Sequence, residues 1–493
     1  MSTTIAQPTT STTGAANAGY RTLWRWHFYA GLFVMPFLVV LAITGTLYCF
    51  QPQIEPLLYP HRLIVAPQTT PRLTEDALLA NARKAMPADA RAVTAVIAGA
   101  PDRSTEFIFR LADGEKQSVY LNPYSGEVLG TLSVERRFMQ IDRMLHRKLL
   151  LGKPGELLME LAACWTLVMI GTGIALWWPR EKTTARAALV PRFTLKGRAL
   201  WKNVHAVMGI WLALGAVVFV LSGLPWTGSW GKQFKALANA TNLGSPPGTW
   251  GGLALRSVVP GAPAGRDLAA DGTTQAHAEH DAHEAKMASM PGMVMDDLPL
   301  PLTPWAVGNT PVPASADAHP AQALPLGRIV ALAASLGVSS GYNIVLPTSA
   351  TGVYTVSYFP GNPQDERTLY IDQYSGAVLR DIRYSDYGAV SKAVSYGTSL
   401  HMGRYFGVAN QILCAVISLG LAGMAVTGCV MWWKRRPQRS LGAPSRERAA
   451  PPMFGWKTGL VLLGIVFPLM GATLLAVWIA DRMIFGRFTR QVA

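Results

Sequence analysis

Charge is scarce in this chain. Asp, Glu, Lys and Arg make up 15% of its 493 residues, and half of the residues are hydrophobic. Mean hydropathy is +0.22, a positive value that is unusual for a soluble protein of this length. Acidic residues are scarcer than basic ones, 29 against 44, for a net charge of +15. Beside long apolar runs, such an excess belongs in short loops on one side of a bilayer, so it gives no ground for a nucleic-acid partner. Cysteine is scarce too. Cys49, Cys164, Cys414 and Cys429 lie scattered in apolar runs without CxxC spacing, which excludes a disulfide framework and reads as small buried hydrophobes. No CxxCH is present, which excludes covalent c-type haem attachment. No A-x-A site ends the first apolar run, so that run is expected to remain in the mature protein. The nearest thing to a nucleotide loop is "GTGIAL" at 171–176. It lies inside an apolar run without a strand–turn–helix context and is discounted.

Long apolar stretches are what the chain has instead. A bilayer core takes roughly 20 apolar residues as helix. Five stretches qualify, at about 28–50, 156–178, 206–226, 405–433 and 456–480. Basic residues orient them. Arg21 and Arg25 precede the first, and Arg180, Lys182, Arg186, Arg192, Lys196, Arg198 and Lys202 follow the second. Lys434, Arg435, Arg436, Arg439, Arg446, Arg448 and Lys457 follow the fourth. The positive-inside rule makes all three sites cytoplasmic. The N-terminus is then cytoplasmic and the C-terminus outside, where Arg482, Arg487 and Arg490 depart slightly from the rule.

The chain also repeats itself. "LWRWHFYAGLF" at 23–33 resembles "WKNVHAVMGIW" at 201–211, with Gly31 and Gly209 four residues after His27 and His205. Thr44-Gly45 begins 17 residues after His27, and Ser222-Gly223 begins 17 after His205. His146 precedes Gly152 by six residues and Trp177-Trp178 by 31; His401 stands in the same relation to Gly407 and Trp432-Trp433. "VYLNPYSGEVLG" at 119–130 matches "LYIDQYSGAVLR" at 369–380, each reading as strand, tight turn, strand.

The expected fold is therefore a mainly α-helical membrane protein with five transmembrane helices and two repeated helix–outer α+β–helix units. Residues 1–20 form a disordered cytoplasmic tail, 21–50 the first helix, 51–145 the first outer domain and 146–178 the second helix. A basic cytoplasmic loop over 179–204 leads to the third helix, 205–226, and to the second outer domain, 227–400. The fourth helix covers 401–433, a second basic loop 434–455, the fifth helix 456–480 and an outer tail 481–493.

Parallel repeats of this kind are related by an axis along the membrane normal, which pairs like with like at equal depth. His27 is expected opposite His205 on the cytoplasmic side, and His146 opposite His401 on the outer side. A single histidine there reads as a capping or snorkelling ring; four in register read as ligands. Zinc would want three or four protein ligands in one shell, whereas porphyrin iron needs only two axial ones. Two b-type haems are the cofactors expected, held by His27 and His205 and by His146 and His401. The glycines at 31 and 209 would leave room for a flat macrocycle, or would serve helix packing. Haems at two depths make a path for electrons across a span of roughly 33 Å.

With "RWHFYAG", two Tyr-Ser-Gly hairpins, "LH" before spans two and four and Trp-Trp after them, the chain resembles the PepSY-associated transmembrane-helix family of bacterial inner-membrane, iron-regulated proteins. The resemblance covers almost all of 20–480. It implies PepSY-like periplasmic domains, and it matches His27, His146, His205 and His401 to the family's haem histidines. It also implies a ferric-siderophore reductase that turns a periplasmic Fe(III) chelate into Fe(II). Its electrons would come from a separate cytoplasmic reductant or a quinol.

The second outer segment carries a Gly-, Pro- and Ala-rich insertion at about 240–325. Within it, His277, His280 and His283 precede Met287, Met290, Met293 and Met295. Imidazoles with thioethers suit copper; the alternative is a solvated low-complexity loop. His61 and His319 read as structural. Two other functions stay open: a copper-linked metal-handling membrane protein built around that tract, and a non-enzymatic PepSY regulatory protein.

Overall fold

The computed structural model describes residues 12–178, 184–246, 299–315, 323–437 and 453–488. The His/Met-rich tract at 277–295 and His319 lie outside the described residues. Along the chain, α1 (Thr12–Cys49) is followed by α2 (Glu75–Lys84) and four strands. These are β1 (Arg91–Ile97), β2 (Thr105–Arg110), β3 (Lys116–Leu121) and β4 (Val128–Ser133). Next come α3 (Phe138–Lys148), α4 (Gly152–Trp177), α5 (Gly197–Gly223), α6 (Trp230–Ala240) and α7 (Leu326–Ser335). The strands β5 (Tyr342–Val345), β6 (Val353–Tyr358), β7 (Arg367–Asp372) and β8 (Val378–Arg383) precede α8 (Ala389–His401). The chain closes with α9 (Val408–Trp433), α10 (Phe454–Val466) and α11 (Pro468–Phe488). Contacts divide it into a helical unit (1–50, 142–235 and 400–493) and a second unit (51–141 and 236–399).

In the helical unit, α1, α4, α5 and α9 are each long and apolar enough to cross a membrane. Helices suit such segments because every backbone N–H finds its carbonyl within the same segment, with no water needed. The four form a ring: α1 packs on α4 and α9, and α5 packs on the same two. Leu214 and Ile412 are 75% and 54% exposed, a placement that suits contact with lipid rather than water. Helices α4 and α9 each begin at a left-handed glycine, Gly152 at φ +63° and Gly407 at φ +57°. That conformation favours a residue without Cβ, and it explains why each glycine follows its histidine at the same distance.

The fifth expected span, 456–480, is not one helix. It breaks at Phe467 (φ −118°, ψ 85°) into α10 and α11. Pro468 disfavours helical geometry in the residue before it and donates no hydrogen bond. Gly464 and Gly471 let the pieces fold together: a Cβ on Gly471 would lie 2.4 Å from the Gly464 carbonyl oxygen. Among the described residues, then, four helices can span, with two shorter apolar helices beside them.

The second unit holds an eight-stranded antiparallel sheet in the order β4-β3-β2-β1-β5-β6-β7-β8. The sequence reading treats 51–145 and 227–400 as two domains. Instead, β1 and β5 pair edge to edge (Ala95 opposite Ile344, Val96 opposite Asn343), so both edges that separate domains would expose are satisfied. One face buries Phe107, Phe109, Val119, Ile344, Val356, Leu369 and Ile371 against α2 and α7. Asp76 of α2 caps α7, its carboxylate accepting from Leu326 N at 2.8 Å and Gly327 N at 2.9 Å. Alternation puts Thr94, Ser118, Tyr120, Thr355, Thr368 and Tyr370 on the opposite face. The two Tyr-Ser-Gly segments are the β3–β4 and β7–β8 turns. Asn122 and Asp372 accept from the Tyr124 and Tyr374 amides, and Gly126 and Gly376 take φ of +76° and +72°.

Candidate functional site

The ring of helices sets α1 opposite α5 and α4 opposite α9. His27 on α1 and His205 on α5 meet across it, ring centres 6.3 Å apart and planes at 85°. His146 in the last turn of α3 and His401 at the end of α8 meet likewise, at 6.5 Å and 90°. His27 and Thr44 stand 17 residues apart on α1, so the two sites lie about 26 Å apart along it.

Each ring is held in the same way. Nδ1 of His27 lies 3.0 Å from Thr172 Oγ1, and that of His205 lies 2.7 Å from Thr427 Oγ1. Nδ1 of His146 lies 2.8 Å from Thr44 Oγ1, and that of His401 lies 2.8 Å from Ser222 Oγ. The four hydroxyls are themselves donors to their own helices. Thr44 bonds Val40 O (2.6 Å), Thr172 Val168 O (2.8 Å), Ser222 Val218 O (2.6 Å) and Thr427 Met424 O (3.0 Å). A hydroxyl has one proton, and here a carbonyl receives it. With its proton on the carbonyl, the oxygen is left to accept from the ring, an arrangement that puts the ring proton on Nδ1 and leaves Nε2 its lone pair. In each case the next residue is glycine. A Cβ on Gly45 or Gly173 would come 3.2 Å from Cε1 of His146 or His27; on Gly223 or Gly428 the distances to His401 and His205 are 3.6 and 3.8 Å.

The surroundings fix the rings further. The Cys49 thiol donates to the His401 carbonyl at 3.5 Å, and the Cys414 thiol to the neighbouring Leu400 carbonyl at 3.2 Å. Asn410 Nδ2 donates to the Leu400 carbonyl at 3.0 Å, and Phe219 packs on the His401 ring at 4.9 Å. Beside the other pair, the Arg435 guanidinium stacks over Trp24 at 4.3 Å and Phe28 at 5.4 Å. Deeper in α4, buried Glu160 caps α6, accepting from Ser229 N and Trp230 N at 3.1 Å.

The donor set can be tested against a cofactor. With metal–imidazole bonds of about 2.0–2.1 Å and about 1.2 Å from Nε2 to ring centre, two imidazoles trans on one metal have centres about 6.4 Å apart. Both pairs meet that spacing. Among the described residues no group of three or more His, Cys, Asp or Glu could hold a metal ion. Two ligands facing each other suit porphyrin iron better than zinc.

Some of this escapes the sequence reading. Gly31 and Gly209 do not touch the histidines: Cβ atoms there would meet Met169 Sδ at 3.7 Å and Met424 Cε at 3.1 Å. The glycines that matter follow the hydroxyl residues. Thr172-Gly173 and Thr427-Gly428 are the pairs missed, the first inside the discounted "GTGIAL". The signal was four Ser/Thr-Gly dipeptides in register with four histidines. His61 sits apart, in a short helix (Pro60–Leu63) of the second unit.

These features define a class: a membrane protein of several spans whose core carries paired histidines. Residues 24–435 match the family described as PepSY-associated TM region, and the chain belongs to that family. No curated protein matches the chain.

Proposed function

We propose that the protein is a dihaem membrane reductase that moves electrons from the cytoplasmic side of a bacterial inner membrane to a periplasmic ferric chelate, such as a ferric siderophore, releasing Fe(II). The observation that carries this reading is the pair of cross-ring histidine couples, with ring centres 6.3 and 6.5 Å apart. His27 and His205 would hold one b-type haem, and His146 and His401 the other. Bound haem supplies a one-electron carrier at each site. The chain's own work is to present Nε2 from both sides, to fix each ring through its hydroxyl and to keep the path dry between apolar helices.

The reading includes a duplicated helix–PepSY-like α+β–helix unit. The symmetric strand order and the matched hydroxyl–histidine contacts support it. It also places the N-terminus in the cytoplasm, by the basic residues that flank α1 and α5. Electrons would enter at the His27–His205 end from a separate reductant or a quinol. Fe(II) is bound weakly by chelators built for Fe(III), so outer-sphere reduction suffices for release.

Detergent-purified protein from haem-replete cells should be red, with a b-type spectrum that sharpens on dithionite. It should release Fe(II) from at least one ferric chelate once reduced. A colourless preparation overturns the proposal. Haem with no ferrous release, together with lost copper tolerance on deleting 277–295, would favour a copper-linked function instead.

A further inference from the structure

We infer that Thr44, Thr172, Ser222 and Thr427 are positioning residues that set the tautomer of the four histidines and lower the potentials of the metal centres they ligate. The inference rests on the haem reading above. Four independent contacts carry it, all of one form. Each hydroxyl is placed to give its proton to a carbonyl of its own helix and also lies 2.7 to 3.0 Å from a histidine Nδ1, which leaves its oxygen to receive the ring proton. The hydroxyl and its histidine come from different helices in every case: Thr172 of α4 for His27 of α1, Thr44 of α1 for His146 of α3, and the same exchange among α5, α8 and α9. Each helical pair thus supplies a ligand at one end and the acceptor for its neighbour's ligand at the other.

The chemistry follows from the direction of these bonds. An imidazole that donates from Nδ1 is a stronger base at Nε2 and is held in one orientation. A more basic ligand favours ferric over ferrous iron, so the bond lowers the reduction potential. Thr44, Thr172 and Thr427 are buried, so that oxygen faces protein groups rather than bulk solvent. Valine has the shape of threonine without the acceptor, and serine keeps the acceptor without the methyl.

The test uses full-length protein in detergent with Thr172→Val, Thr427→Val, Thr44→Val and Ser222→Ala, each beside a hydroxyl-retaining swap (Thr→Ser or Ser222→Thr). Haem content and midpoint potentials are read by pyridine haemochrome and spectroelectrochemistry. Thr172→Val and Thr427→Val should raise the potential of one haem, and Thr44→Val and Ser222→Ala that of the other. The expected size is about tenfold in the reduction equilibrium, about 59 mV for one electron. The hydroxyl-retaining swaps should restore the original values. Unmoved potentials in haem-loaded variants overturn the inference and leave the haem reading standing. In haem-free protein, ¹⁵N shifts of labelled histidine should report Nδ1–H in the unaltered chain and a move towards Nε2–H in Thr172→Val. Nε2–H rings in the unaltered chain overturn the inference. Failure of the unaltered chain to bind haem, with Nδ1–H rings present, overturns the haem reading and the effect on potential, while the tautomer assignment holds.

Discussion

Adding one methyl group at Gly173 should displace His27, whereas the same methyl at Gly428 should leave His205 in place. The added carbon would sit 3.2 Å from His27 Cε1 in the first case and 3.8 Å from His205 Cε1 in the second. Carbon contacts are most favourable at about 3.5–4.0 Å, so His27 must move by about 0.3 Å or more, while His205 gains an ordinary contact. His27 cannot yield freely, because Thr172 holds its Nδ1 at 3.0 Å. Overpacking of this size costs about 1–3 kcal/mol, equivalent to roughly 5- to 150-fold in haem affinity if the strain falls on the bound state. Gly171→Ala is the control. It lies on the same helix with nothing within 4 Å of its Cβ, and it carries the same gain in helix propensity of up to about 1 kcal/mol. Haem titration of apo-protein, read beside thermal melting, separates the effects. Gly173→Ala should bind haem more weakly than Gly171→Ala, and the strain carried by the haem-free fold should show as an earlier melt than that of Gly171→Ala. Equal haem affinity in Gly173→Ala and Gly428→Ala would refute the reasoning.

Other outcomes follow from the same geometry. His401→Ala should remove the haem that His146→Ala removes and spare the one lost in His27→Ala; a shared loss between His401→Ala and His27→Ala in difference spectra would break the pairing. Glu160→Ala strips acceptors from the part-buried amides of Ser229 and Trp230 and should lower stability by about 1–3 kcal/mol in thermal or denaturant unfolding, with Glu160→Gln intermediate. Burial raises the Asp142 carboxyl to about 6. The folded state therefore holds that proton more tightly than the unfolded state, and the stability it contributes is present at about pH 4 and lost as pH rises through 6. Asp142→Asn should flatten this part of the pH–stability curve. Deleting 277–295 should leave the haem spectrum unchanged.

Much of the helical unit was legible in the sequence. Hydropathy and length are local properties, so four spans could be read one stretch at a time. The repeat offsets singled out His27, His146, His205 and His401 and anticipated which would stand opposite which. Where local reading went astray, a partner distant in the chain decided. The apolar stretch 456–480 has the composition of a span, but Pro468 and the approach of Gly464 to Gly471 split it. The two outer segments each carry complete strand–turn–strand signals, and nothing within either announces that β1 will pair with β5.

The division has a physical basis. Composition and periodicity along one segment determined the membrane helices and the place of each histidine on its helix, because each depends on neighbours within a few turns. Tertiary structure alone decided which hydroxyl meets which imidazole. Thr44-Gly45 follows His27 by 17 residues on α1, yet the contact it makes is with His146 of α3, 102 residues on. Helix rise carries a hydroxyl away from a histidine on its own helix, and antiparallel packing returns it to the histidine of the next.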